Sequence, residues 1–547
     1  MNYKIAACLA AALFGFGFAP VSAASETGIE VRVISAETRR AVEGVNITIT
    51  ARDGESSTAA TDDDGVVRLM ELEPGLYALN ATGDGFIEAL EPSIRVVARR
   101  TTPVGIEMLP IDEGLDEVVV VARAVQADLY GAASSTRLNR EELRSAVGAG
   151  SDVMRALDGL PGLISTGDFA NFSVRGRGPR DNLIFVDGLP FDKVVHFDQT
   201  LGEEEDIGGG GRFSIFAPNS IQGAEFSPGG WSAAYSGRSG SLLQLDVVGG
   251  SPTPSASLRI DIAGVELGYD GPSGFHDDTT LFLTARSFDF GRVFDMIDEK
   301  DIGQPELSDF ILKTVTEIDD RNSFEVLAIA APETYTRDID NVLESPNFED
   351  VALIDSEQDL GLLGFTWRRL VGDTGEWTNK IYFRDSDKTS SEGEAYPDLV
   401  PEGTPAGEIP VRERLLTIDE AETEIGWRSD YSLINRFGPA SLGLRVVQTD
   451  VDYSTVLRED WIRFVYRSTD PRPPGQDYIV LTPDNVDSAF AAKETNYSAY
   501  AEQVFEFGRW DLRTGLRYDR DGFADESLVS PRLAANWRLS PATRLSA

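Results

Sequence analysis

Cysteine and histidine are scarce in this sequence of 547 residues. Its one cysteine is Cys8, and its two histidines, His196 and His276, lie far apart. This scarcity excludes a disulfide framework, a cysteine-based metal site and a histidine-rich metal centre. We therefore expect a protein with no metal site and no cofactor.

Basic residues are also few, with 49 Lys and Arg against 91 Asp and Glu and a net charge of −42. Proteins that bind nucleic acid need clustered Lys and Arg to neutralise phosphates, so we expect no nucleic-acid partner. The sequence contains no zinc-ligand pair, no Gly-x-Ser-x-Gly motif and no recognisable Ser/His/Asp set. An enzyme is therefore not expected.

Beyond the N-terminus, no run of about 18 apolar residues is present that could cross a membrane as a helix. Residues 1–23 have the features of a secretory signal peptide: Lys4, an apolar stretch from 5 to 18, and the small residues 21–23 before the cleavage point. Export without a transmembrane helix leaves three destinations, which are the periplasm, secretion and an outer-membrane β-barrel.

Residues 26–109 predict a small β-sandwich, because short alternating strands such as 28–34 and 45–50 are separated by Gly, Asp and Pro turns. Four segments resemble the carboxypeptidase-regulatory-like domain: 42–45, 61–65, 72–77 and 83–86.

Residues 110–124 are predicted to link this module to the next one. They contain four consecutive valines flanked by charges, a strong strand-forming sequence. Two interpretations stay open. The segment is a core strand of a neighbouring module, or it is an exposed strand whose backbone adds to the sheet edge of another protein.

Residues 125–250 predict an α+β domain. Leu183–Val186 is an apolar run typical of a buried strand, and Asp187, Gly188 and Pro190 form a strong turn signal directly after it. Helical spacing and capping residues predict helices over 139–146, with Asn139 as the N-cap, and over 151–160.

Three motifs in this region resemble the plug domain of TonB-dependent outer-membrane receptors. They are an Arg-Gly strand end, an Asp-Gly-x-Pro turn and a Pro-Gly-Gly segment that continues to a tyrosine and a glycine. The residues that carry the resemblance are Arg175, Gly176, Asp187, Gly188, Pro190, Gly229, Gly230, Tyr235 and Gly237.

Residues 255–547 change character, because segments of about ten residues alternate apolar with polar, as transmembrane β-strands do. In 377–384, Trp377, Ile381 and Phe383 share one face, and mostly polar residues share the other. Two segments, 515–519 and 530–533, resemble strands of the same receptor family. Acidic insertions at 338–359 and 389–408 are predicted to be loops.

The fold class is therefore mainly β, with a β-sandwich, an α+β plug and an antiparallel transmembrane barrel. The length supplies about 12 strands, whereas the barrels of this family have about 22. The sequence also ends inside a predicted strand and without a terminal aromatic residue. We therefore expect a fragment of a longer product.

The resemblance implies a receptor that takes up a scarce nutrient across the outer membrane, with its N-terminal domain in the periplasm. It implies three partners: outer-membrane lipid and lipopolysaccharide, a small extracellular ligand, and the periplasmic energy-transducing protein TonB. The TonB box that pairs with the last of these would be Asp116, Glu117, Val118, Val119, Val120 and Val121.

Phe191, His196 and Phe197 begin a long polar segment that, in this family, faces the outside. We expect them to contribute to a ligand platform, and the alternative is an ordinary solvated loop. The substrate stays open between a ferric siderophore, a glycan and a peptide. The alternative function is a surface adhesin or structural barrel without transport.

Overall fold

The computed structural model of the chain describes most, but not all, of its residues. The described residues are 27–35, 41–51, 55–73, 75–86, 88–96, 101–108, 135–139, 143, 153–157, 160, 162–165, 172–197, 213–217, 219–250, 254–276, 278–319, 321–345, 351–372, 375–401, 403–458, 463–466, 478–481, 485–540 and 543–546. The predicted signal peptide and the predicted linker at 110–124 lie outside them.

The N-terminal module consists of two small sheets, with strand orders β4-β1-β7 and β3-β2-β5-β6. Alternate residues of these strands, such as Ile29, Val31 and Val33, are fully buried in a common core. The predicted β-sandwich is what the structure shows. The strands are β1 (Gly28–Ser35), β2 (Asn46–Ala51), β3 (Ser56–Ala60), β4 (Val66–Met70), β5 (Gly75–Thr82), β6 (Ala89–Val96) and β7 (Thr101–Met108).

The central module, residues 135–250, is built on a mixed five-stranded sheet with the order β12-β11-β16-β15-β8. Two further hairpins, β9 with β10 and β13 with β14, lie beside it. The strands are β8 (Thr136–Asn139), β9 (Leu163–Ser165), β10 (Phe172–Val174), β11 (Leu183–Val186), β12 (Leu189–Pro190), β13 (Val195–His196), β14 (Phe213–Ser214), β15 (Ile221–Ser227) and β16 (Leu242–Val247).

The two helices predicted for this module lie partly outside the described residues, and the N-cap predicted for the first one is wrong. Asn139 does not cap a helix, because it ends β8 and pairs with Gly223 of β15. Leu143, the other described residue of 139–146, is helical as predicted. In the described part of 151–160, the helical residues form one 3₁₀ turn, Met154–Leu157. Strand pairing at the sheet edge thus overrides the local capping signal.

The C-terminal half forms one antiparallel sheet of thirteen strands in its described residues, close to the predicted 12. We call this sheet the wall. Its members are β17 (Ser255–Ile260), β18 (Gly264–Pro272), β19 (Thr279–Asp289), β20 (Gln304–Asp319), β21 (Asn322–Arg337), β22 (Ala352–Val371), β23 (Gly375–Ala395), β24 (Val411–Asn435), β25 (Gly438–Leu457), β28 (Val486–Phe507), β29 (Trp510–Asp521), β30 (Glu526–Ser540) and β31 (Thr543–Ser546), while β26 (Arg463–Tyr466) and β27 (Tyr478–Leu481) form a separate hairpin.

The wall has an apolar outer face and a polar inner face. Trp377 and Ile381 of β23 are 40% and 51% exposed. Tyr382, the next residue after Ile381, faces the other way and is almost fully buried. The same arrangement, with apolar side chains exposed and charged side chains buried, recurs along the wall. Arg286 and Asp309 are among the buried charged residues. This confirms the alternation predicted for 377–384, which suits lipid outside and a polar interior.

Several wall strands are longer than the predicted ten residues, and β24 has 25. As a result, two predicted loops were wrong in part. Segment 338–359 contains a short helix, α2 (Ile339–Glu344), and then the start of β22; segment 389–408 begins inside β23. Alternating Ser, Thr and acidic residues continue the hydrogen-bonded ladder past the apolar band.

The long connections of the wall lie at one end, because consecutive strands are antiparallel. This long-loop end carries α1 (Phe290–Ile297), α2, segment 396–410 and the hairpin β26–β27. Turns of a few residues, such as 436–437 and 508–509, occupy the opposite, short-turn end. Within the described residues, no helix is both long enough and apolar enough to cross a membrane.

Candidate functional site

The wall curves around the central module, and their contact surface is the candidate site. Strands as distant in sequence as β19 and β30 bind this module. Arg286 of β19 donates to the carbonyl of Ser214, and Arg532 of β30 donates to the carbonyl of Tyr235. Since both arginines project from the inner face, the module is enclosed by the sheet.

The predicted Asp-Gly turn is one point of attachment. Asp187 and Gly188 have φ values of 50° and 70°, so they form the two-residue turn with left-handed backbone that joins β11 to β12. Lys313 Nζ lies 2.9 Å from Asp187 Oδ2, and Lys380 donates to the carbonyl of Asp187. Burial raises the pKa of Asp187 above its usual range, and Lys313 opposes this effect.

A second turn of the same kind, at Arg175 and Gly176, differs from the Asp187 turn in its contact with the wall. Arg175 and Gly176 have φ values of 51° and 77° between Val174 and Arg177, whose backbones exchange two hydrogen bonds. A Cβ atom on Gly176 would meet nothing within 4 Å, whereas one on Gly188 would lie 2.3 Å from Lys380 Nζ. The wall therefore approaches Gly188 more closely than it approaches Gly176.

His196 is a fully buried attachment, with no exposed surface. Its Nδ1 lies 2.8 Å from Glu333 Oε2 and its Nε2 lies 2.7 Å from Asp309 Oδ1. Ionised carboxylates only accept hydrogen bonds, so both ring nitrogens carry a proton and the side chain is an imidazolium. Burial lowers the pKa of His196, but the two carboxylates outweigh it and raise the pKa to about 9.

Arg286 closes this charged network. Its Nε donates to Asp309 Oδ2 at 2.6 Å, and it also binds the carbonyl of Ser214 on β14. Both strands of the β13–β14 hairpin are therefore fastened to the wall, one through His196 and the other through Ser214.

Aromatic side chains surround that network at the long-loop end. Phe197, which follows His196, packs in one cluster with Phe288, Leu307 and Tyr335 of the wall. Phe213 stacks on Phe290 at 4.3 Å. Apolar cover of this kind keeps water away from the ions and strengthens their attraction.

The three residues predicted as a ligand platform lie in this contact surface. Phe191, His196 and Phe197 are 1%, 0% and 5% exposed. His196 and Phe197 lie side by side against the wall, with ring centroids 6.1 Å apart, whereas Phe191 belongs to the main hydrophobic core of the module. Their role in ligand binding stays a prediction, and residues 198–212 that continue the polar segment lie outside the described residues.

The Pro-Gly-Gly segment is attached through its backbone. Arg517 donates to the carbonyls of Ala233 and Ala234, both at 3.0 Å. Arg532 donates to three more carbonyls, those of Trp231, Ser232 and Tyr235. The amide of Ala233 donates in turn to Glu502 Oε2 at 2.8 Å. Two arginines thus serve five carbonyls of an irregular segment whose oxygens would otherwise lose their water.

Tyr235 anchors the end of that segment. Its hydroxyl lies 2.5 Å from Gln244 Oε1, and its ring packs edge-on against Phe185 at 5.0 Å between centroids. Arg428 of the wall lies over the same ring at 5.1 Å. The glycines around it, Gly229, Gly230 and Gly237, all have positive φ.

A further set of charges joins the module to the middle of the wall. Arg384 binds Asp192, which also pairs with Arg238 at 3.5 Å. Lys193 donates to Ser386 at 2.9 Å and lies 3.3 Å from Glu422. These groups are more exposed than the His196 network, since Lys193 retains 30% of its side-chain surface.

Sequence reasoning found the motifs but missed their partners. Arg517 and Arg532 lie in the segments 515–519 and 530–533, which were interpreted only as strands. Their positions on the polar faces of predicted strands were a usable signal, since an arginine that faces the interior of a barrel needs a partner. Nothing in the sequence around Asp309 and Glu333 indicated that they would bind His196. The predicted TonB box, Asp116 to Val121, lies outside the described residues.

Comparison with known families accounts for three consecutive parts of the chain. Residues 28–109 match the carboxypeptidase regulatory-like domain, residues 127–241 the TonB-dependent receptor plug domain, and residues 319–547 the TonB-dependent receptor-like β-barrel. Comparison with curated proteins finds no match.

Among solved structures, the fold is similar to the outer membrane transporter YddB from Escherichia coli, with 10% identity, a TM-score of 0.52, and coverage of 76% of this chain and 61% of that one. It is also similar to FpvA of P. aeruginosa bound to heterologous pyoverdines, with 12% identity, a TM-score of 0.52, and coverage of 74% and 55%. The chain therefore spans less than two thirds of the length of either structure.

Proposed function

Because the chain belongs to the TonB-dependent receptors, we propose that it takes up a scarce nutrient across the outer membrane by moving a plug inside a barrel. The central module is the plug and the wall is the barrel sheet. A plug and barrel of this family place the chain in the outer membrane.

The observation that carries this proposal is the chemistry of the plug–wall contact. Charged side chains of the wall bind the plug at several separate places, including His196, the Asp187 turn and the carbonyls of 231–235. Hydrogen bonds of this kind are exchanged for bonds to water at a modest net cost of about 1 kcal/mol each. A plug held in this way is stable at rest and can still be displaced by an external force.

The force would come from the TonB protein, which we propose pairs with residues 116–121 by strand addition. The four valines favour the extended backbone that such pairing needs. In this proposal the regulatory-like module, 28–109, lies on the periplasmic side together with that segment. No step of the mechanism changes the ligand chemically, so catalysis is not part of the proposal.

A ferric siderophore is the substrate class that we propose to test first, because FpvA, one of the similar structures, is bound to iron-carrying pyoverdines. His196 and Phe197 lie near the long-loop end, beside Phe288 and Tyr335. Together with Phe191, they remain our proposed point of contact between ligand and plug.

The coupling is tested with Val119→Pro, which removes a backbone donor and blocks strand addition, and with Val119→Thr as the matched control that keeps strand propensity. Cells without other siderophore receptors express either variant and receive radioactive iron as ferric pyoverdine, then a labelled glycan fragment or peptide. We expect Val119→Pro to bind ligand at the surface but to take up none, while Val119→Thr transports. An adhesin or structural barrel would show no uptake in any variant and no dependence on TonB.

A further inference from the structure

The contacts between plug and wall are of two kinds, on two sides of the plug. On the first side, strands β19 to β22 contribute apolar side chains to the same hydrophobic core as the plug. The wall members of that core are Phe282, Ile311, Leu327, Ile329, Ala331, Leu360 and Leu362, together with Tyr382 of the adjoining strand β23. Leu189 of the plug, 1% exposed, lies against Gly364, where an added Cβ would approach its Cδ1 to 2.1 Å.

On the second side, strands β24 and β28 to β30 contribute charged groups. Arg517, Arg532 and Glu502 bind the backbone of 231–235, and Glu422 pairs with Lys193. Among the described residues, none from these strands belongs to the hydrophobic core that joins plug and wall.

Water replaces the two kinds of contact differently. When a hydrogen bond between an arginine and a carbonyl breaks, water binds both groups, so most of the lost interaction is replaced. It offers nothing in place of buried apolar surface, which is the main driving force for keeping two surfaces together. The two buried ion networks, at Asp187 and His196, also lie on the apolar side, under that cover.

We propose that the plug parts from the wall along β24 and β28–β30, while its contact with β19–β22 stays closed and serves as the hinge. The passage then runs between segment 231–236 and the wall, past Glu422, Arg428 and Arg532. The role of this opening in transport rests on the proposed function, whereas the labelling experiment below does not depend on it.

The test uses single cysteines as reporters. Cys8 is the only cysteine in the sequence and lies in the predicted signal peptide, so an introduced thiol stands alone in the folded part. Ala233→Cys reports on the polar side and Leu189→Cys on the apolar side. The two sites are matched, because Ala233 and Leu189 are 0% and 1% exposed.

The full chain in outer-membrane vesicles is treated with a charged maleimide at increasing sub-denaturing urea concentrations. Each labelling rate is divided by the rate of the same thiol in the unfolded chain. We expect the thiol at 233 to react about tenfold faster than the thiol at 189, as local opening through the weaker side requires. Equal rates, or faster reaction at 189, would overturn the proposal.

Two disulfide cross-links provide a second, independent experiment. Ala233→Cys with Gly515→Cys would bridge the polar side, where the two Cβ atoms would lie 3.0 Å apart. Leu189→Cys with Gly364→Cys would bridge the hinge side. Formation of each disulfide is verified by mass spectrometry before and after reduction.

In cells that take up ferric pyoverdine, we expect the 233–515 bridge to stop uptake until it is reduced and the 189–364 bridge to leave it intact. Any other pattern, including a block by both bridges, contradicts a hinge at β19–β22. Absence of uptake in the unmodified chain counts against the proposed function alone, because the labelling rates still decide which side opens.

Discussion

Raising the pH from 6.5 to 9 should lower the free energy of unfolding, because the unfolded chain releases the His196 proton in this range while the folded chain holds it up to about pH 9. The pKa of His196 rises from 6.5 to about 9 in the folded chain through Asp309 and Glu333. A group whose pKa is raised by folding contributes stability that is complete below the unfolded pKa and is lost as pH rises towards the folded pKa. The shift corresponds to about 3 kcal/mol, at about 1.4 kcal/mol per pH unit.

The assay is urea unfolding of the full chain in detergent micelles, followed by tryptophan fluorescence at half-unit steps from pH 6 to 10. We expect the free energy of unfolding to fall by about 3 kcal/mol between pH 6.5 and 9 and to level off above it. His196→Gln is the matched control, since it keeps a hydrogen-bond donor but does not titrate.

The His196→Gln variant should be less stable below pH 6.5, because Glu333 then lies buried without the His196 cation and Asp309 keeps only Arg286 as its partner. The cost should be about 3–5 kcal/mol. Its stability should show no step between pH 6.5 and 9. The same step in wild type and variant would mean that other groups titrate in this range, and the reasoning about His196 would be refuted.

Two further outcomes are expected in the same unfolding assay. Gly176→Ala should lower the free energy of unfolding by about 1–2 kcal/mol, because alanine disfavours the left-handed backbone. Gly188→Ala should cost at least about 1 kcal/mol more, because its Cβ would displace Lys380. Equal costs would contradict the close approach of Lys380 to Gly188. Arg532→Lys should cost about 1–3 kcal/mol, since a single ammonium cannot reproduce the arginine fork on three carbonyls. Arg520→Lys on the neighbouring strand should cost little, because half-buried Arg520 pairs with the exposed Asp525. Similar losses in the two variants would show that the fork is unimportant.

The parts of the fold that could be predicted were those encoded locally. An Asp-Gly pair after an apolar run has few backbone options, and Asp187 and Gly188 adopt the expected turn. The alternation at 377–384 likewise specifies which side chains face lipid, since a strand has a fixed period of two.

The parts that could not be predicted depend on pairing between distant residues. His196 was placed in a polar segment by its neighbours in sequence, yet Glu333, which is 137 positions away, buries it. Asn139 has the chemistry of a helix cap, but the edge of β15 offers it a strand partner. In both cases the competing contact is contributed by an element whose position follows only from the assembled sheet.

The arginines at 517 and 532 have a consequence for how the two parts of the chain can change. They bind carbonyl oxygens, which every amino acid carries, and so place little demand on the side chains of Trp231, Ser232 and Ala234, whereas Ala233 is packed against Gly515. Substitutions at those three positions of the plug need no compensating substitution in the barrel. Plug and barrel can therefore diverge at different rates, and a plug from a related receptor with the same backbone path should fit this barrel segment.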